Sequence, residues 1–69
     1  MKLSARNQFK GKIVSIKEGA VNAIITIDIG NGNVITSDIT IAAVKDLGLS
    51  VGGQATAVVK STSVMVMVD

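Results

Sequence analysis

The sequence predicts an all-β protein: a five-stranded barrel with one short helix between the third and fourth strands. Three observations carry that expectation. The apolar residues are mostly Val and Ile, whose branched side chains favour strands. Val21, Ala23, Ile25, Ile27 and Ile29 alternate with Asn22, Ile24, Thr26 and Asp28, and a period of two is the signature of a strand. Glycine supplies the punctuation, and the 69 residues contain no proline and no low-complexity linker. A chain of this length is a single domain, residues 1–69.

Lys10 to Lys17 reads as the first strand, with Gly11 as a bend or bulge. Glu18-Gly19 is a turn, and Val21 to Ile29 is the second strand. Gly30-Asn31-Gly32 is a hairpin turn, because glycine and asparagine tolerate positive φ. Asn33 to Ser37 returns as the third strand. Thr40 can cap a helix whose apolar positions are Ile41, Val44 and Leu47, and Gly48 can end it in the left-handed conformation. That helix is about two turns long. After a turn at Gly52-Gly53, Gln54 to Lys60 and Val64 to Val68 read as the last two strands, broken around Ser61-Thr62-Ser63. The segment Val64-Met65-Val66-Met67-Val68 has no polar face, and a strand apolar on both sides is covered on both sides. In so small a chain, one cover is expected to be another subunit. This order of elements suits a barrel of the oligonucleotide/oligosaccharide-binding (OB) type, and closing it limits open edges.

Composition narrows the function classes. A chain this short buries only about 60% of the surface that its unfolded form exposes, so a lone subunit is marginal without a staple. Cys and His are absent, which removes disulfides and argues against a structural zinc site. Oligomerisation is the staple left, and a 48% apolar fraction agrees with it. The net charge of +2 suits a small anion and is weak for nucleic acid. No apolar run approaches the roughly 20 residues that span a membrane. Met1-Lys2 opens directly onto polar residues, with no signal-type stretch, so the expected location is the cytoplasm.

Catalysis is not expected. No histidine is available as a general acid or base. Glu18, Asp28, Asp38, Asp46 and Asp69 are scattered and form no evident pair. Ser61 has Lys60 beside it, yet adjacent strand residues face opposite ways. Gly30-Asn31-Gly32-Asn33 lacks the Lys-Ser/Thr of a phosphate loop. Single-strand nucleic-acid binding relies on stacking aromatics, and Phe9 is the one aromatic here. Lys10, Lys12 and Lys17 are within the repertoire of phosphate contacts, but Lys10 and Lys12 are read first as the solvent face of the first strand. No side-chain set for direct metal coordination is expected.

Two polar clusters remain: Ser4-Ala5-Arg6-Asn7-Gln8 near the start and Lys60-Ser61-Thr62 near the end. Each joins a cation to neutral donors. A guanidinium offers a fork of N–H groups that matches the edge of an oxyanion. A charge-assisted hydrogen bond of this kind is worth about 1.5–3 kcal/mol. A site built only of donors favours a fully deprotonated dianion, since a proton on the anion would find no acceptor. Taken singly, each cluster would pass as ordinary surface; their significance depends on meeting in space.

Ser4-Ala5-Arg6-Asn7-Gln8 followed by Lys10-Gly11 resembles the opening of the molbindins, the small Mop-type (TOBE-like) molybdate-binding proteins. Lys60-Ser61-Thr62, followed after one residue by Val64-Met65, resembles their closing motif, and Ile35-Thr36-Ser37 and Leu47-Gly48 fall at matching places. The resemblance covers essentially the whole chain. It implies an OB-like barrel assembled as a homohexamer, a trimer of dimers, with molybdate or tungstate at subunit interfaces. By that resemblance Ser4, Arg6 and backbone N–H groups around Ala5 contact the anion. Lys60 and Ser61 complete the shell from a neighbouring chain, and Thr36 and Ser37 face it. A second class of site is assigned to the turn Gly19-Ala20-Val21. Asp38 stands where relatives carry an apolar residue, and by alternation it points away from Ser37.

The expected function is thus a cytoplasmic molybdate or tungstate oxyanion-binding protein for storage or homeostasis. The alternatives are a ligand-free oligomerisation module, supported by the apolar last strand, and, behind it, an OB-type nucleic-acid-binding protein. The partners expected are further copies of the chain and a small oxyanion, with neither nucleic acid nor membrane.

Overall fold

The computed structural model describes every residue from Met1 to Asp69. Its elements in order are β1 (Asn7–Glu18), β2 (Asn22–Gly30), β3 (Asn33–Thr40), α1 (Ile41–Leu47), β4 (Gln54–Val59) and a short 3-10 turn at Ser61–Ser63. The strands form one antiparallel sheet in the order β3-β2-β1-β4. The alternating run behaves as its pattern requires. Ala23, Ile25 and Ile27 are buried, while Asn22, Ile24 and Asp28 face out. Ile13 of β1, Ala57 of β4 and Val44 of α1 complete the core.

Local chemistry sets the connections. Asn31 (φ 54) and Gly32 (φ 78) form the two-residue loop between β2 and β3, both with the positive φ that a type I′ hairpin demands. Asp28 Oδ1 accepts from the Gly30 N–H at 2.8 Å and steadies the approach to that loop. Thr40 caps α1, its Oγ1 accepting from the Ala43 N–H at 3.0 Å. Gly48 ends the helix at φ 64 and ψ 37.

Four strands form rather than five. Val64 to Val68 makes no ladder with any strand of its own chain, and Met65, Val66, Met67 and Val68 are each at least 87% exposed. The reason is geometric. The 3-10 turn at Ser61–Ser63 carries the chain off the end of β4, so the sheet stays a half-barrel with its β3 and β4 edges unjoined. An apolar groove of about 260 Å³ opens on that side, lined by Ile35, Ile39, Leu49, Ala57 and Val59 among others.

Two smaller expectations change as well. The bulge falls between Ile13 and Ser15 rather than at Gly11. Gly11 serves a close approach instead: a side chain there would run into the Asp28 carbonyl oxygen and Ile27 Cγ2 of β2. In α1 only Val44 is buried, and Leu47 is 68% exposed at the groove's rim. With just two turns packed against a curved sheet, a third apolar position overshoots the core.

Candidate functional site

The β1–β4 ladder ends with the pair Asn7↔Val59. Arg6 immediately precedes Asn7 and Lys60 immediately follows Val59, so the two cations flank the end of one ladder in one chain. The resemblance brings Lys60 to the anion from a neighbouring chain; antiparallel pairing also places it beside Arg6 within one chain, because the start of β1 and the end of β4 are the same end of the sheet. At such a position, opposed Cα atoms are about 5 Å apart.

Side chains hold both clusters in place. Asn7 Nδ2 donates to the Val59 carbonyl at 3.3 Å, closing the ladder's last rung. Gln8 Nε2 donates to the Ala5 carbonyl at 2.7 Å and folds Ser4-Ala5-Arg6 back against the strand. On the other side the Ser63 N–H donates to the Lys60 carbonyl at 2.9 Å, making the turn that presents Ser61. Ser4, Arg6, Lys60 and Ser61 are all exposed, and Ala5 is half-buried. The result is an open, donor-rich corner. The roles of Asn7 and Gln8 were not read from the sequence; an amide pair just ahead of an alternating run is the signal that could have shown them.

Thr36 and Ser37 do not join this corner within the chain. They lie on β3, at the far edge of the sheet from β4. Ser37 is half-buried on the inner face with Ile35 and Ile39, while Thr36 and Asp38 are exposed on the outer face. Both Thr36 and Ser37 border the apolar groove, as Val58 and Val59 do from the β4 side. The turn at Gly19-Ala20-Val21 lies elsewhere, at the β1–β2 connection. Its Gly19 N–H is already given to the Asn22 carbonyl at 2.7 Å, and its Val21 carbonyl accepts from Ile41 N–H at 2.8 Å.

The TOBE domain model matches residues 3–66 of the chain. The probable molybdenum-pterin-binding protein of Haemophilus influenzae is 62% identical over 69 residues, which is 100% of either chain. The chain belongs to the TOBE-domain family, of the molbindin (Mop) type. Among solved molbindin-type structures, MopII from Clostridium pasteurianum in an apo form superposes with a TM-score of 0.90 at 49% identity, covering 97% of this chain and 100% of that one. The cytoplasmic molybdate-binding protein ModG, solved with molybdate bound, matches with a TM-score of 0.84 at 46% identity, over 88% of this chain and 43% of ModG. The molbindin motifs at Ser4–Gln8 and Lys60–Thr62 are thus the two segments that the fold gathers at one corner.

Proposed function

We propose that the chain binds molybdate, or the isosteric tungstate, as a reversible cytoplasmic store, with no bond made or broken. The carrying observation is the position of Arg6 and Lys60 on either side of one ladder end. Like charges across a ladder are unfavourable, and a dianion between them turns the cost into a gain. Arg6 supplies charge and a two-pronged edge, and Lys60 supplies a second charge. Ser4, Ser61 and the backbone N–H groups around Ala5 close the shell. Relatives described as molybdenum-pterin-binding or molybdate-binding support molybdenum oxyanion as the ligand class.

The working unit in this reading is an oligomer, a hexamer built as a trimer of dimers. Val64 to Val68 of one copy would lie in the apolar groove of a second, between β3 and β4. The length agrees: five residues of strand span roughly 17 Å. Val64, Val66 and Val68 would enter on one face, and burying each contributes about 1.5–3 kcal/mol. Thr36 and Ser37, at the rim of that groove, would then face a neighbour's donor corner. The amides of Ala20 and Val21 are the donors available for a second site. A ligand-free assembly module is the second reading, favoured by the same exposed apolar segment. Retention of molybdenum after equilibration and desalting separates the two.

Arg6→Ala is expected to weaken molybdate binding at least tenfold, the loss of about one charge-assisted contact, with the assembly intact. Isothermal titration giving wild-type affinity for this variant would refute the assignment.

A further inference from the structure

The corner at Arg6 and Lys60 is one end of a longer cationic strip. Lys10 and Lys12 are exposed at alternate positions of β1, in the same parity as Arg6. Across the ladder, Lys10 opposes Thr56 and Lys12 opposes Gln54. These four residues line an open cleft of about 720 Å³, and no carboxylate lines it. Asp28 opposes Lys12 across the β1–β2 ladder and keeps its negative charge while its Oδ1 accepts from the Gly30 N–H at 2.8 Å, so it offsets part of the pull of Lys12, whereas Lys10 faces Thr56. None of the chain's side-chain hydrogen bonds employs either lysine.

Strand rise places Lys10 roughly 13 Å and Lys12 roughly 20 Å from Arg6 along β1. Neither can touch a tetrahedral anion seated between Arg6 and Lys60. Both are near enough for their fields to reach one, since a dianion feels twice the pull of a single charge. The cleft is too open to enclose an anion, so its lysines attract without retaining.

We propose that this strip collects the oxyanion and steers it to Arg6 and Lys60, with Lys10 and Lys12 setting the rate of loading rather than the lifetime of the complex. The inference rests on the oxyanion-binding reading above. Steering acts on association and fades with ionic strength, whereas contacts in the site act on dissociation. Screened Coulomb attraction from the two lysines amounts to about threefold in association rate at 10 mM salt, where the screening length is about 30 Å. At 150 mM salt, where that length is about 8 Å, the effect shrinks below about 1.5-fold.

The test compares the double variant Lys10→Gln/Lys12→Gln with Lys17→Gln/Lys45→Gln. Both pairs remove two positive charges, the second pair from the far end of β1 and from the helix. Dissociation is followed by exchange of isotopically labelled molybdate, affinity by equilibrium dialysis, and association rate is taken from the two. The expected result is association slowed about threefold at 10 mM salt in the first variant alone, with dissociation unchanged, and wild-type rates in Lys10→Arg/Lys12→Arg. Equal slowing in both charge-removal variants, unchanged association, or faster dissociation in the first would overturn the strip while leaving the binding site standing. Absence of molybdate binding by the wild-type protein would overturn the site and the strip together.

Discussion

Replacing Lys60 with glutamine removes one of the two cations that flank the end of the β1–β4 ladder. Without an anion the two charges repel. At a separation of about 7 Å, which long side chains on opposed positions can reach, the repulsion in water-like surroundings is about 0.6 kcal/mol. The variant without ligand is therefore more stable than wild type, by about 2–5 °C in midpoint at low salt. With molybdate the order reverses. Wild-type protein at a ligand concentration one hundred times its Kd gains about 2.7 kcal/mol. A variant bound tenfold more weakly gains about 1.4 kcal/mol at the same concentration. The wild type then leads by about 0.7 kcal/mol, which is the difference of those gains less the relieved repulsion. Far-UV circular dichroism melts at fixed protein concentration, with and without molybdate, measure all four midpoints; the lack of Trp and Tyr leaves fluorescence little to report. A variant that melts below wild type without ligand, or that keeps the full molybdate-induced rise, would refute the reasoning.

Two further outcomes follow from the fold. Gly11→Ala forces a side chain against the Asp28 carbonyl and Ile27 Cγ2 of β2, and is expected to cost about 1–3 kcal/mol in chemical denaturation; an unchanged midpoint would mean that β1 and β2 are not so close. Val66→Asp places a carboxylate in the middle of the exposed apolar segment. Analytical ultracentrifugation should find it as a 7.1 kDa monomer where wild type sediments as a multiple, and an unaltered assembly would place the subunit contact elsewhere.

Much of the fold was legible because its signals are local. Ile25 and Ile27 announce their strand by period. Asn31 and Gly32 announce their turn by tolerance of positive φ, and Thr40 and Gly48 announce the helix by the backbone groups they satisfy. Gly11 was legible only as something unusual in a strand: a missing side chain permits either a bulge or a close approach, and the neighbouring strand decides which. Leu47 had the right spacing for a core residue, but exposure depends on where the sheet's curve ends. The apolar run Val64–Val68 reads by composition as a strand wanting cover on both sides; its own chain covers neither and leaves it outside the sheet, because the turn at Ser61–Ser63 leads it away.

The sequence by itself determined that this chain is strand-dominated, cannot be stapled by disulfides, and carries two short clusters of cation and hydroxyl that resemble the molbindin pattern. Those properties reside in residue types and their nearest neighbours along the chain. Only the tertiary structure decided that Arg6 and Lys60 share one corner of one subunit, and that Thr36 and Ser37 do not join them there. The physical reason is register. Which residue stands opposite which across 52 positions of chain is set by the burial of Ile13, Ile25 and Ala57 on one face and by the loop that returns β4 to β1. A shift by one residue would turn every one of those side chains to the other face.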